Sequence, residues 1–540
     1  MKKFGAFAII LALAGITFVA VEGCKPKAKS PGPVNVKSLG GESAETTSFK
    51  EVTSKLDTGG NLYLYLSTEQ WLKNLSGQVE KWHGVVGALP NLQDQRQVID
   101  NAFGIGTRLI KDSGLEDISG IGMSSIAREP GMYYNKMIIH HYAGQGNGFM
   151  WSIFGKGAHD LDGLDLLPAN TAMAAFYDLD PAQVWSIIQK QCEESGFPQA
   201  KDFLKTFPQQ FEKGAGIKLD EVLDSLDGEF GFVMTLDDSK MVTIPLPTRE
   251  RLEIPEPAIM LVVKVKNDAI FKRIDAVLKQ KGAPGLISVD QNGVRMRTVP
   301  VPVPIPITLR PSIAMSGGYL FLASSDVMIQ EALAVKGGKA GLKSTDEFKK
   351  LSADLPQQGN QFCYLSQRFG ATMMKVQMQA FAGNNQMPPQ MKELMQSFAN
   401  PDKAAFTYAV VANTDEGWIT VANASQSGGN ALLIAPAIPA AMAAIAIPNF
   451  IRARNMAQNN GRSMGGNTSA CINNLRLLDV AKQRWAAEKN KPAGTVAKWE
   501  DLQPYLGRGR ATMRCPDGGE YTIGAVGEPP TCSIPGHRLP

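Results

Sequence analysis

The sequence predicts an α+β protein, with antiparallel sheets assembled from repeated strand-helix units and a small tail module behind them. Three observations carry this. A leucine-led turn runs into a strand and then a helix at three places in the first four-fifths of the chain. Pairs of strand-patterned segments flank short turn signals between those places, which gives hairpins rather than parallel crossovers. A helix with apolar residues at three- and four-residue steps opens the last part.

The repeats are read directly. Leu56-Asp57-Thr58-Gly59-Gly60 leads into a strand over Leu62–Ser67, Leu167-Pro168-Ala169-Asn170 into one over Ala172–Asp178, and Leu355-Pro356-Gln357-Gln358-Gly359 into one over Gln361–Ser366. Helices are expected next, over Thr68–Val79, Pro181–Cys192 and Arg368–Phe381, with Asp180 capping the second and Pro181 in its first turn. Glu129-Pro130-Gly131 joins strands over Ile121–Arg128 and Met132–His141. Gly228–Leu236 and Ile259–Lys266 alternate at strand period. Ser316-Gly317-Gly318 joins Ile313–Met315 to Tyr319–Ala323, and Asn413 to Gly417 joins Ala405–Ala412 to Trp418–Ala422. Capping residues start helices over Ile270–Leu278 and Val327–Val335. Helices are expected on one face of the sheets. The proline-alternating segments Ile244–Pro247 and Val299–Pro306 belong to edge strands or polyproline-type chain, because proline cannot donate to a ladder. They serve as edge protection or, in a second reading, as a docking ridge.

With 540 residues, the chain is long enough for two to four domains. Its net charge of +4 is too small to argue for nucleic acid or an anionic membrane surface. Lys2 and Lys3 precede an apolar run over Phe4–Val21, and Val21-Glu22-Gly23-Cys24 follows. This start resembles a bacterial lipoprotein leader, which implies cleavage before Cys24, lipid on that residue, and a place at the outer membrane, cell surface or periplasm. A plain secretory signal and a retained anchor are the alternatives. The domain plan is then a signal peptide over 1–23, a lipidated tether over 24–55, the repeat body over 56–426, an apolar helix over 427–454 and a globular module over 455–540.

Ala440–Arg454 reads A-A-M-A-A-I-A-I-P-N-F-I-R-A-R, and A-C-I-N-N-L-R-L-L-D-V-A-K-Q-R-W-A-A-E-K follows from Ala470 to Lys489. Together they resemble type IV pilins and type II secretion pseudopilins. The resemblance rests on the helix residues Ala444, Ile445, Ile447, Pro448, Asn449 and Phe450. The cleavage site of that family is absent, and its helix glutamate falls on Ala431. Ala431–Ile451 is apolar and near spanning length, and burial against protein is favoured over a span because Pro436, Pro439 and Pro448 interrupt it. In the tail, Cys471, Leu475, Leu478, Ala481 and Trp485 form the buried stripe of the helix, with Arg476, Asp479, Lys482 and Glu488 on its other faces. Cys515 and Cys532 are expected to pair as a disulfide worth about 3 kcal/mol. Cys192 and Cys363 read as buried free thiols.

From Leu56 to Gln426 the order of elements resembles a family of secreted bacterial proteins of unknown function. No catalytic motif is present: there is no G-x-S-x-G, Walker loop, H-E-x-x-H or Rossmann glycine pattern, and no zinc spacing. His140 and His141 face opposite sides of one strand, and His159-Asp160 reads as structural. No cofactor or metal is expected. Asp517, Glu520 and Glu528 read as turn carboxylates rather than a calcium site, and the methionines from Met373 to Met395 as core or interface filler rather than copper ligands. The expected function is non-enzymatic: an exported envelope lipoprotein whose pseudopilin-like module assembles with or contacts a type II secretion or type IV pilus-like system. The alternative is an envelope binding protein for an apolar or polymeric ligand, the membrane being reached through the lipid in either case.

Overall fold

The structure is a computed structural model that describes residues 47–88, 94–245, 251–280, 282–283, 285–301, 309–382, 404–428, 465–492, 494–506, 514–515 and 517–539. The chain divides into two compact units, Met1–Pro436 and Ala437–Pro540. The α+β class holds: long antiparallel ladders alternate with helices throughout the first unit.

Each of the three repeats is the first strand of a three-stranded unit. The first unit is β1 (Leu62–Ser67), β2 (Gly120–Glu129) and β3 (Met132–His140). A two-residue strand β4 (His159–Asp160) follows, then the second unit, β5 (Thr171–Asp178), β6 (Leu226–Pro245) and β7 (Arg251–Val265). Two hairpins come next, β8 (Ile287–Gln291) with β9 (Val294–Thr298), and β10 (Ser312–Ser316) with β11 (Tyr319–Ala323). After the short β12 (Gln358–Gly359), the third unit is β13 (Gln361–Leu365), β14 (Thr407–Thr414) and β15 (Gly417–Ala424). All but the short strands form one 13-stranded antiparallel sheet in the order β1-β2-β3-β15-β14-β13-β5-β6-β7-β11-β10-β9-β8. The units join alternately: last strand to last strand at β3–β15, first to first at β13–β5. The Ser316 turn is as expected, with Gly317 and Gly318 both at positive φ, as a two-residue hairpin of this twist demands.

The main core lies on one face, where Phe176 stacks on Phe362 and Phe321, Ile329, Tyr364 and Tyr408 close around them. Because side chains alternate along a strand, Phe321 of β11 points into this core while its neighbour Leu320 joins Phe271, Val265 and Ile313 in a second cluster. The helix Ala269–Gln280 covers that second face with Ile270, Ile274 and Leu278, and the helix Asp326–Lys336 covers the first with Met328, Ile329 and Ala332. Helices therefore cover both faces of β11, not one, because this strand is apolar on both sides. Arg297 of β9 is 3% exposed, yet Asp275 takes bonds from its Nε and Nη2 at 2.7 and 3.3 Å, and Asp290 from Nη1 and Nη2 at 2.6 and 3.0 Å.

Two local differences from the sequence reading have physical causes. The helix expected over Thr68–Val79 breaks in two, Glu69–Leu72 and Leu75–Gly87, because the Glu116 carboxylate accepts the Ser76 N–H at 2.8 Å and starts a new helix there. The strand β6 runs past Leu236 to Pro245, paired only with β7 once β5 has ended at Thr171. Among the described residues Pro245 thus stands on a two-stranded ribbon paired to β7 alone, where a missing donor is tolerated. Residues Pro302–Pro306 of the other proline stretch lie outside the described residues.

In the second unit the helix Gly465–Glu488 buries Cys471, Leu475, Leu478, Ala481 and Trp485, the predicted stripe. Ala497, Leu502, Leu506 and Ile523 pack against it. A small ladder, β16 (Tyr521–Thr522) with β17 (Thr531–Cys532), lies beyond the short helix Trp499–Leu502. Lys482 is a correction: it is 1% exposed rather than on a solvated face. Its ammonium donates to the Ile523 carbonyl at 2.8 Å and to the Glu528 carbonyl, with Asp479 at 3.7 Å. Burial pulls its pKa down against the raising effect of Asp479. Among the described residues no helix is long and apolar enough to cross a membrane. Cys24 and the six pilin-like positions, Ala444, Ile445, Ile447, Pro448, Asn449 and Phe450, lie outside the described residues, as do Met387, Met391 and Met395.

Candidate functional site

Where β5 ends and β6 begins, the first unit opens a cleft of about 460 Å³. Four strands and one loop position its charged wall. Asp178 closes β5, directly opposite Glu229 of β6 in the ladder. Lys264 stands near the end of β7, and β4, paired to β12, carries His159. Asp180 caps the helix Pro181–Glu193 at the rim by accepting the Gln183 N–H at 2.9 Å. Gly155 has a positive φ, and a Cβ there would lie 2.4 Å from Asn360 Nδ2 and 2.5 Å from Asp178 Oδ2. Only glycine lets the loop approach this closely.

Asp178 is held from two sides. Asn360 Nδ2 donates to its Oδ2 at 3.0 Å, and His159 Nε2 lies 3.1 Å from Oδ1 and 2.9 Å from Oδ2. The other ring nitrogen of His159 donates to the Asp160 carbonyl at 2.8 Å. Burial disfavours a charged ring, but the Asp160 carbonyl and the Asp178 carboxylate outweigh it and raise the histidine's pKa. The imidazolium form suits both contacts.

Glu229 is the unusual group. It is 7% exposed, and its Oε2 has only distant company: Tyr319 Oη at 3.5 Å and Lys264 Nζ at 3.6 Å. Its Oε1 is buried with no hydrogen-bond partner among the described residues. Burial raises its pKa, Lys264 opposes this, and the nearby Asp178 charge adds to it. A buried carboxyl oxygen left without a donor costs about 1–3 kcal/mol, so a ligand bringing a donor gains from it. By sequence pattern alone His159 reads as structural, and no local motif singles out Asp178, Glu229 or Lys264. The only signal was their place at strand ends, which becomes informative once the strand order is known.

The expected disulfide is corrected. Cys515 and Cys532 are both free thiols, and so is Cys471. The reason is in the packing: a third sulfur and an imidazole converge on the same point, so that Cys471, Cys515, Cys532 and His537 present their ligand atoms within 4.8 Å of one another. Cys192 and Cys363 are buried and free, and burial pushes the Cys363 thiol up to about 12. His140 and His141 have different hydrogen-bond partners: the first is bonded to Ser119 Oγ at 2.7 Å, the second to the Tyr142 carbonyl at 2.9 Å.

Residues 161–401 match the family described as Protein of unknown function (DUF3352). The match contains Asp178, Glu229 and Lys264 and covers an inner part of the resemblance expected over Leu56–Gln426. No curated protein and no solved structure matches the chain.

Proposed function

We propose that this chain is a non-enzymatic, exported envelope protein whose sheet body binds a small polar ligand in the Glu229 cleft. The observation that carries the reading is the buried, unpartnered Glu229 oxygen beside a cleft of about 460 Å³. A ligand amine or hydroxyl satisfies that oxygen, and a ligand anionic group meets Lys264, with Lys156 and Lys266 also in the wall. The charged wall favours such a zwitterionic ligand over an apolar one. Export and lipid attachment at Cys24 rest on the leader, Lys2 to Cys24. The test is calorimetric titration of the purified chain with free amino acids, short peptides and amino sugars. We expect saturable binding by one class, lost in both Glu229→Gln and Lys264→Met. Binding by none of the panel, or binding unchanged in both variants, rejects the reading.

A second reading concerns partners, and one observation favours it. Leu477 and Val480 are 53% and 49% exposed on the helix that carries the pilin-like stripe. In this reading they contact pilin-like or secretion-system proteins. Photocrosslinking from position 477 in intact cells should return such a protein, whereas products limited to lipid or to the chain itself dismiss the reading.

A further inference from the structure

We propose that Cys471, Cys515, Cys532 and His537 form a tetrahedral zinc site that organises the C-terminal unit. This stands apart from the Glu229 cleft and uses none of its residues. The four ligand atoms already lie within 4.8 Å of one another, and Cys515 Sγ is 3.4 Å from His537 Nδ1. With Zn–S near 2.3 Å and Zn–N near 2.0 Å, neighbouring ligands of a tetrahedral ion stand about 3.5–3.8 Å apart. Small side-chain movements close the difference, and three sulfurs with one imidazole are a structural zinc set.

The chain around the cluster is built to hold such ligands. Cys471 comes from the helix Gly465–Glu488 and is fully buried. Cys515 opens the turn C-P-D-G-G, closed by the Gly518 N–H to the Cys515 carbonyl at 2.9 Å, with Gly518 at positive φ. Cys532 ends β17, and the turn C-S-I-P-G-H brings His537 back, its N–H donating to the Ile534 carbonyl at 3.2 Å. Gly519 has no room for a side chain, since a Cβ there would lie 2.7 Å from Cys532 Sγ.

The outer contacts favour thiolate and a fixed imidazole. The backbone N–H groups of Asp517 and Gly519 bond to the Cys515 sulfur, the contact a metal-bound thiolate accepts. The Tyr521 side chain bonds to Cys471, and Asn474 Nδ2 donates to the Tyr521 hydroxyl at 3.1 Å, aiming that hydroxyl's proton toward the sulfur. His537 turns Nδ1 to the sulfurs and Nε2 to Asp517 Oδ2, at 3.4 Å. A carboxylate behind the far nitrogen of a ligating histidine fixes the ring and raises its basicity.

The experiment measures metal content and thiol state together on the full chain, purified without a metal-affinity step. We expect stoichiometric zinc by plasma mass spectrometry and no disulfide by peptide mapping. Cys532→Ser should lose the zinc, and Cys192→Ser should keep it. Asp517→Ala should retain the ligands but weaken zinc about tenfold or more. In case Cys532→Ser fails to fold, His537→Cys provides a second measure: it should still bind Co²⁺ in place of zinc, with a changed visible spectrum. Metal-free protein carrying a Cys515–Cys532 disulfide overturns the proposal, as does iron in place of zinc, or zinc retained in Cys532→Ser.

Discussion

The sheet body rests on apolar contact across a 13-stranded sheet, whereas the C-terminal unit gathers one short apolar cluster around a helix and sets three thiols and an imidazole beside it. The difference follows from scale. The fraction of surface a chain can bury rises with its size, so a small unit has little stability in reserve. In the body, polar groups are details inside a large core. In the tail, Cys471 and Lys482 sit among the few residues that define the core at all.

Three substitutions break or sharpen this contrast. Arg297→Ala removes the buried cation of an ion group and leaves Asp275 with Lys279, at 2.8 Å, as its remaining ion-pair partner among the described residues, and breaking such a group costs about 3–5 kcal/mol. The body should still unfold in one transition at lower denaturant, which chemical denaturation read by tryptophan emission will check. Leu478→Ala opens a cavity at a fully buried position and costs about 2–5 kcal/mol. Its energy is no larger, but the tail has less to lose. Hydrogen exchange should show Gly465–Glu488 amides unprotected while those of β13 and β14 stay slow.

Glu229→Gln acts in the opposite direction. The folded carboxyl titrates above its unfolded counterpart, so its protonated form favours the fold. That contribution is whole below the unfolded carboxylate range and is lost as pH rises through the folded value. At neutral pH the amide should therefore stabilise the body by about 1 kcal/mol, the gain fading toward acid. Melting curves at several pH values will check this. Stability gained at the same residue where ligand binding is lost is the pattern expected of a site kept strained for function.

The elements of the body were legible in the sequence because local signals agreed with the fold. Asp180-Pro181 started its helix, Gly317-Gly318 made its hairpin, and β1, β5 and β13 fell where the leucine-led turns put them. The strand order was not legible. Nothing local says that β13 lies beside β5 or β3 beside β15, since those pairings are chosen by which apolar faces meet. The cleft shared that fate, because Asp178, Glu229 and Lys264 become neighbours only through the ladder. The tail cluster was missed for a related reason. Its four ligands come from a helix, two turns and a strand end, and no short motif spaces them. Lys482 looked solvated because amphipathic spacing describes side-chain direction and cannot foresee two carbonyls waiting at the end of a long stem.

The β3–β15 ladder has a kinetic consequence. His140 faces Gly417 across it, with most of the body lying between them in sequence. Closing so long a loop is slow, and β3 must wait for its neighbour until synthesis or threading has delivered nearly the whole body. Until then the apolar edge at Ile138 and Ile139 stays open to wrong partners. A chain of this topology is committed to finishing its fold late and all at once, and a holdase that shields that edge should speed its maturation more than one that binds the tail.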